Sequence, residues 1–80
     1  MPKILIVDDE LSIRESFSLI FEDDYDIFTA ASGEAALKII ADRKIDLVFL
    51  DIRMPGLDGL ETLTRIKTID PECEVVMVTA

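Results

Sequence analysis

Eighty residues allow one domain, and half of them are hydrophobic, which suits a packed core and excludes a disordered chain. Seventeen acids against eight bases give a formal charge of −9, which disfavours nucleic acid or an anionic membrane as a partner and suits metal cations or a basic surface. The single cysteine, Cys73, excludes an internal disulfide and fits a reducing cytoplasm; no run reaches the roughly 20 apolar residues of a membrane span, and no signal-peptide pattern opens the chain.

Lys3 to Val7 is apolar, β-branched and too short for a helix. It reads as a buried strand, ended by Asp8, Asp9 and Glu10. Ile13, Phe17, Ile20 and Phe21 recur at helical spacing, with Arg14, Glu15 and Ser18 placed on the other side. Glu22, Asp23 and Asp24 close that helix with an acidic turn, an unfavourable charge for a helix C-terminus. Tyr25 to Ala30 is rich in β-formers and reads as a second strand. Ser32 is a candidate N-cap for a helix over Gly33 to Asp42, with Ala36, Leu37, Ile40 and Ala41 as its apolar face. Arg43 and Lys44 follow at its end, where cations are favoured. Ile45 to Leu50 is the third strand, and it runs into Asp51. Pro55, Gly56 and Gly59 break the chain. Asp58 and Glu61 then have capping-box spacing before a helix that continues through Leu60, Leu63 and Ile66 to about Ile69. Asp70-Pro71 signals a turn, and Glu74 to Thr79 is a fourth buried strand.

Strand and helix alternate throughout, which predicts an α/β fold with a doubly wound parallel sheet and right-handed crossovers. A chain that stops at Ala80, directly after a core strand, leaves that strand's far edge uncovered. A fragment of a larger domain is therefore expected.

A carboxylate at the tip of a greasy strand is costly without a partner. Ligands of open parallel sheets bind beyond the carboxyl ends of strands, where strand order reverses. If the first and third strands are neighbours, Asp8, Asp9 and Asp51 converge there. Hard oxygen ligands of this kind suit Mg²⁺. Without a cation the three acids repel one another, and at least one pKa should rise.

Three pieces in order carry a resemblance: Ile4-Leu5-Ile6-Val7-Asp8-Asp9-Glu10, Leu50-Asp51-Ile52-Arg53-Met54-Pro55-Gly56-Leu57-Asp58-Gly59, and Val76-Met77-Val78-Thr79-Ala80. Together they resemble the receiver domain of bacterial two-component response regulators. The resemblance covers residues 1–80, while the chain covers only the N-terminal portion of that domain. It implies a flavodoxin-like fold with strand order 2-1-3-4, lacking the family's fourth helix, fifth strand and fifth helix. The family's essential fifth-strand lysine is absent too, because Lys3, Lys38, Lys44 and Lys67 fall in other segments.

Carried over residue by residue, the resemblance makes Asp51 the phosphorylated aspartate and Asp9 a direct Mg²⁺ ligand. Asp8 holds the ion through water, and Arg53 contributes its backbone carbonyl. Thr79 matches the switch hydroxyl, and Ala80 the small residue that leaves access to the site. The implied activity is Mg²⁺-dependent phosphoryl transfer from a sensor histidine kinase to Asp51. That makes the chain a cytoplasmic signalling module rather than an enzyme. It would control an output domain or partner, with transcription regulation as one outcome, and touch neither nucleic acid nor membrane itself.

Other readings compete with this one. Aspartyl-phosphate enzymes usually carry Asp-x-Asp at the nucleophile, and Arg53 occupies the second acid's place. No glycine-rich phosphate loop follows any strand, which argues against a nucleotide-binding domain. A truncated or engineered receiver piece would instead self-associate, as a homodimer through the fourth-strand edge or swapped elements. For single residues the bland readings stand beside these. Asp58 reads as a helix cap, Gly56 and Gly59 as backbone geometry, and Cys73 as packing. Met54 reads as loop or core filler, and Thr79 as a β-former.

Overall fold

In the computed structural model, which describes residues 1–78, seven elements follow one another. They are β1 (Lys3–Val7), α1 (Leu11–Phe21), β2 (Asp26–Ala30), α2 (Gly33–Asp42), β3 (Leu47–Asp51), α3 (Gly59–Ile69) and β4 (Glu74–Val78). Thr79 and Ala80, with the switch role expected of Thr79, lie outside the described residues. The strands form one parallel sheet in the order β2-β1-β3-β4. This is the doubly wound parallel sheet that the alternating pattern predicts, in the flavodoxin-like strand order that the resemblance implies.

Alternation along the strands divides the core between two faces. Leu5 and Val7 of β1, Val48 and Leu50 of β3, and Ala30 of β2 face α2 and α3. Ala36, Ile40, Ile66, Ile45, Met54 and Cys73 complete that cluster. Each fully buried leucine or isoleucine there contributes on the order of 1.5–3 kcal/mol relative to exposure. On the opposite face Phe49 meets Phe17 at 5.2 Å and Phe21 at 5.5 Å between ring centroids. Tyr25 stands edge-on to Phe21 at 5.9 Å.

The stack on Phe49 corrects the expected face of α1. Phe17 and Phe21, four residues apart, centre the helix on their own line. Ile20 is swung to the flank and is 68% exposed, although periodicity placed it in the core. Arg14 and Ser18, expected on the outside, are half-buried. Ala41 of α2 and Leu60 of α3 are likewise exposed, because they lie at the margins of faces narrower than the apolar pattern.

Three strand boundaries also move. Tyr25 donates its N–H to the Phe21 carbonyl, so β2 begins at Asp26. Asp46 accepts from the Lys3 N–H at 2.8 Å through its side chain, so β3 begins at Leu47, and Ile45 is buried just before it. The same strand runs one residue further than expected, with Asp51 in register with Val78.

The caps follow the sequence. Ser32 accepts from the Ala35 N–H at 3.1 Å, and Asp58 from the Glu61 N–H at 2.8 Å. The capping box is not reciprocal, since the Glu61 carboxylate instead pairs with Arg65 at 3.4 Å. Beyond α2, the Arg43 guanidinium lies 4.7 Å over the Phe28 ring. Lys44 Nζ donates to Asp70 at 2.9 Å, and that bond holds the Asp70 carboxyl below its ordinary value. Burial pushes the Cys73 thiol up, which suits a packing residue and not a reactive thiolate. Among the described residues no helix is long and apolar enough to cross a membrane.

Candidate functional site

Parallel pairing of β1 with β3 places both carboxyl ends at one edge of the sheet, with Val7 opposite Leu50. The residues that follow, Asp8 just past β1 and Asp51 as the last residue of β3, therefore stand side by side. Asp8 remains tied to the sheet, because its N–H donates to the Ala30 carbonyl at 3.1 Å. Its side chain is buried and accepts from the Glu10 N–H at 2.9 Å. Its own carbonyl accepts from Arg14 Nη1 at 2.7 Å. Asp9 is exposed and makes no hydrogen bond among the described residues.

Asp51 is half-buried, and one of its carboxylate oxygens accepts from the Arg53 N–H at 3.0 Å. The Arg53 side chain is exposed. The junction behind Asp51 is held from both sides. Ile52 donates to the Val78 carbonyl, and Gly59 donates to the Ile52 carbonyl, each at 3.2 Å. Met54 is buried and anchors the connecting loop, and Gly56 turns it with φ of 78°.

Asp8, Asp9 and Asp51 each offer a carboxylate oxygen, and these oxygens lie within 4.8 Å of one another. Burial raises the Asp8 pKa above its ordinary value, and the charges of Asp51 and Asp9 push the same way. The Glu10 N–H and the Arg14 guanidinium pull it back only in part. The rise at Asp8 is thus due first to burial, with repulsion from the two neighbouring acids adding to it.

A hard divalent cation fits this donor set. The ligands are all carboxylate oxygens, they carry excess negative charge, and Asp9 has no competing hydrogen-bond partner among the described residues. Mg²⁺ typically takes one or two such carboxylates and completes its shell with water and phosphate oxygens. The sequence located all three acids. It missed the Arg14 contact, because polarity assigned that side chain to the outside.

Comparison with known proteins identifies the family. Residues 4–80 match the family described as response regulator receiver domain. Sporulation initiation phosphotransferase F of Bacillus subtilis is 46% identical over 79 residues, covering 98% of this chain and 64% of that protein. Chemotaxis protein CheY of Listeria monocytogenes is 42% identical over 82 residues, covering all of this chain and 69% of that protein. Among solved structures, a CheY-like receiver domain from Methanospirillum hungatei JF-1 superposes with a TM-score of 0.96 at 32% identity, over 99% of this chain and 64% of that one. Response regulator TrrA from Thermotoga maritima, solved in complex with Mg(2+)-BeF, gives a TM-score of 0.92 at 43% identity, over 100% of this chain and 70% of that one. The chain thus spans about two thirds of these relatives. On fold, motif order and family match together, the chain belongs to the response regulator receiver domain family of two-component systems.

Proposed function

We propose that residues 1–80 form the phosphoacceptor portion of a two-component response regulator, with Asp51 as the acceptor and Mg²⁺ as the cofactor. The observation that carries this reading is the approach of the Asp8, Asp9 and Asp51 carboxylates to within 4.8 Å, at the carboxyl edge of adjacent strands. A relative 43% identical to the chain was solved with Mg(2+)-BeF, which supports the choice of ion.

Asp9, Asp8 and the Arg53 carbonyl would hold the cation, together with Asp51. Bound there, Mg²⁺ supplies charge neutralisation for the carboxylate and the incoming phosphoryl oxygens. The chain itself supplies position. The Arg53 N–H fixes one oxygen of Asp51 and leaves the other to attack. In the transfer, that oxygen forms a bond to phosphorus as the bond to the kinase histidine breaks. The electron pair returns to the imidazole nitrogen, which takes up a proton. Phosphoryl transfer needs positioning and charge balance more than covalent help, so few residues suffice.

The new phosphoryl group adds charge and acceptor oxygens. In this reading it draws in the Thr79 hydroxyl and shifts the population of two states, which an output domain or partner reads. The module is a signalling one, facing a sensor histidine kinase in the cytoplasm. Thermal melts with and without Mg²⁺ test the cation site. A ligand bound only by the folded state stabilises it by about 2.7 kcal/mol at a hundredfold excess over Kd. The wild type should show a saturable gain of this kind, and Asp9→Asn should show none. An equal gain in Asp9→Asn contradicts the assignment.

A further inference from the structure

We propose that Arg14 is a positioning residue for the cation site, holding the Asp8–Asp9 peptide so that the Asp9 carboxylate meets those of Asp8 and Asp51. This inference rests on the cation-site reading given above. The supporting contact is the bond from Arg14 Nη1 to the Asp8 carbonyl at 2.7 Å. Asp8 is held three ways: by Ala30 at its N–H, by the Glu10 N–H at its side chain, and by Arg14 at its carbonyl. Asp9 has no hydrogen bond of its own among the described residues. The direction of its Cα–Cβ bond is therefore set by the two peptide planes that flank it, one holding the Glu10 N–H bonded to the Asp8 side chain and the other joining it to Asp8. The second plane contains the carbonyl Arg14 grips.

The start of α1 leaves this task open. Glu10, its N-cap residue, makes no side-chain capping bond. Arg14 closes the turn twice, with its N–H on the Glu10 carbonyl at 3.2 Å and its guanidinium on the Asp8 carbonyl. A planar, rigid guanidinium fixes an acceptor's direction better than a flexible ammonium does.

Charge alone predicts the opposite outcome on substitution. A cation beside three carboxylates competes with a metal ion, so removing it should tighten metal binding. Loss of positioning should weaken binding, and it should do so selectively. Mg²⁺ demands near-ideal octahedral geometry, whereas Ca²⁺ tolerates variable ligand number and angle. A change in charge moves both ions in the same direction, and a partly unfolded chain loses both alike.

The test titrates the 80-residue chain with Mg²⁺ and, separately, with Ca²⁺. Amide shifts of Asp8 to Glu10 and Asp51 to Arg53 are followed by NMR in wild type, Arg14→Met and Arg14→Lys. Residues that orient a metal ligand typically cost about 10–100-fold in affinity when removed, so the Mg²⁺ Kd of Arg14→Met should rise at least about tenfold. Its Ca²⁺ Kd should stay within about threefold of wild type, given that ion's tolerance. Arg14→Lys should fall between, and it carries the test should Arg14→Met lose its far-UV signal. Unchanged or tighter Mg²⁺ binding, or equal losses for both ions, overturns the role of Arg14 while leaving the cation site intact. Failure of the wild type to bind Mg²⁺ saturably overturns the cation site, and the role of Arg14 with it.

Discussion

Gly59→Ala should destabilise the fold by about 2–3 kcal/mol, toward the upper end of overpacking costs. A Cβ at this position would lie 2.6 Å from Ile52 Cα and 2.7 Å from the Asp51 carbonyl oxygen. Both are backbone atoms, so no side chain can swing aside. Either α3 retreats from the sheet or the end of β3 shifts, and the end of β3 carries Asp51. Alanine's better helix propensity recovers less than about 1 kcal/mol. For a domain of this size the loss corresponds to a fall in Tm of roughly 10–20 °C. Gly56→Ala is the informative contrast. There the cost comes from φ of 78°, and the nearest obstacle is the Glu34 carboxylate, which can move. About 1–2 kcal/mol is expected for that substitution. Urea melts of both variants check this. A Gly59→Ala protein within 0.5 kcal/mol of wild type would mean that α3 does not fix the acceptor junction.

Asp9→Asn should lower the rate of Mg²⁺-dependent phosphorylation at Asp51 by at least about 100-fold, since residues that merely orient a ligand already cost about 10–100-fold. Arg53→Ala, by contrast, should leave the rate within about threefold, because its side chain is exposed and in the proposed reading only its backbone would serve the site. The two substitutions separate a carboxylate ligand from a carbonyl one. Single-turnover rates at an Mg²⁺ concentration that saturates the wild type, with a small acyl phosphate as donor, read the difference. A slow Arg53→Ala with a normal Asp9→Asn would reverse the assigned roles.

Asp8-Asp9 alone would read as a solvated turn pair, and the acids became legible as a group only because a second greasy run also ends abruptly in a carboxylate, Asp51. Their convergence was conditional. It required β1 and β3 to be neighbours, and strand order is set by crossovers that no local pattern encodes. The Ser32 and Asp58 caps were legible because a short oxygen-bearing side chain before an apolar period has one common use.

Ile20 and Arg14 were not legible, and for one reason. A helical wheel sorts residues by polarity, but the aromatic stack of Phe17 and Phe21 on Phe49 sets the actual rotation of α1. Rotation exposes Ile20. It also lays the Arg14 stem against the protein, with the charged head reaching a carbonyl, which a polarity count scores as exterior. The start of β3 was missed because Ile45 is as apolar as the strand it precedes, and only the Asp46 bond to Lys3 marks the boundary.

The central claim, that Asp51 accepts a phosphoryl group with Mg²⁺, is tested most directly by intact mass. The chain is incubated with a small acyl phosphate, with Mg²⁺ or with a chelator, beside an Asp51→Asn control. The account predicts the gain of one phosphoryl group by the wild type in Mg²⁺ alone. No gain by the folded wild type that persists in a longer chain carrying the family's fifth-strand lysine, or an equal gain by Asp51→Asn, would contradict it.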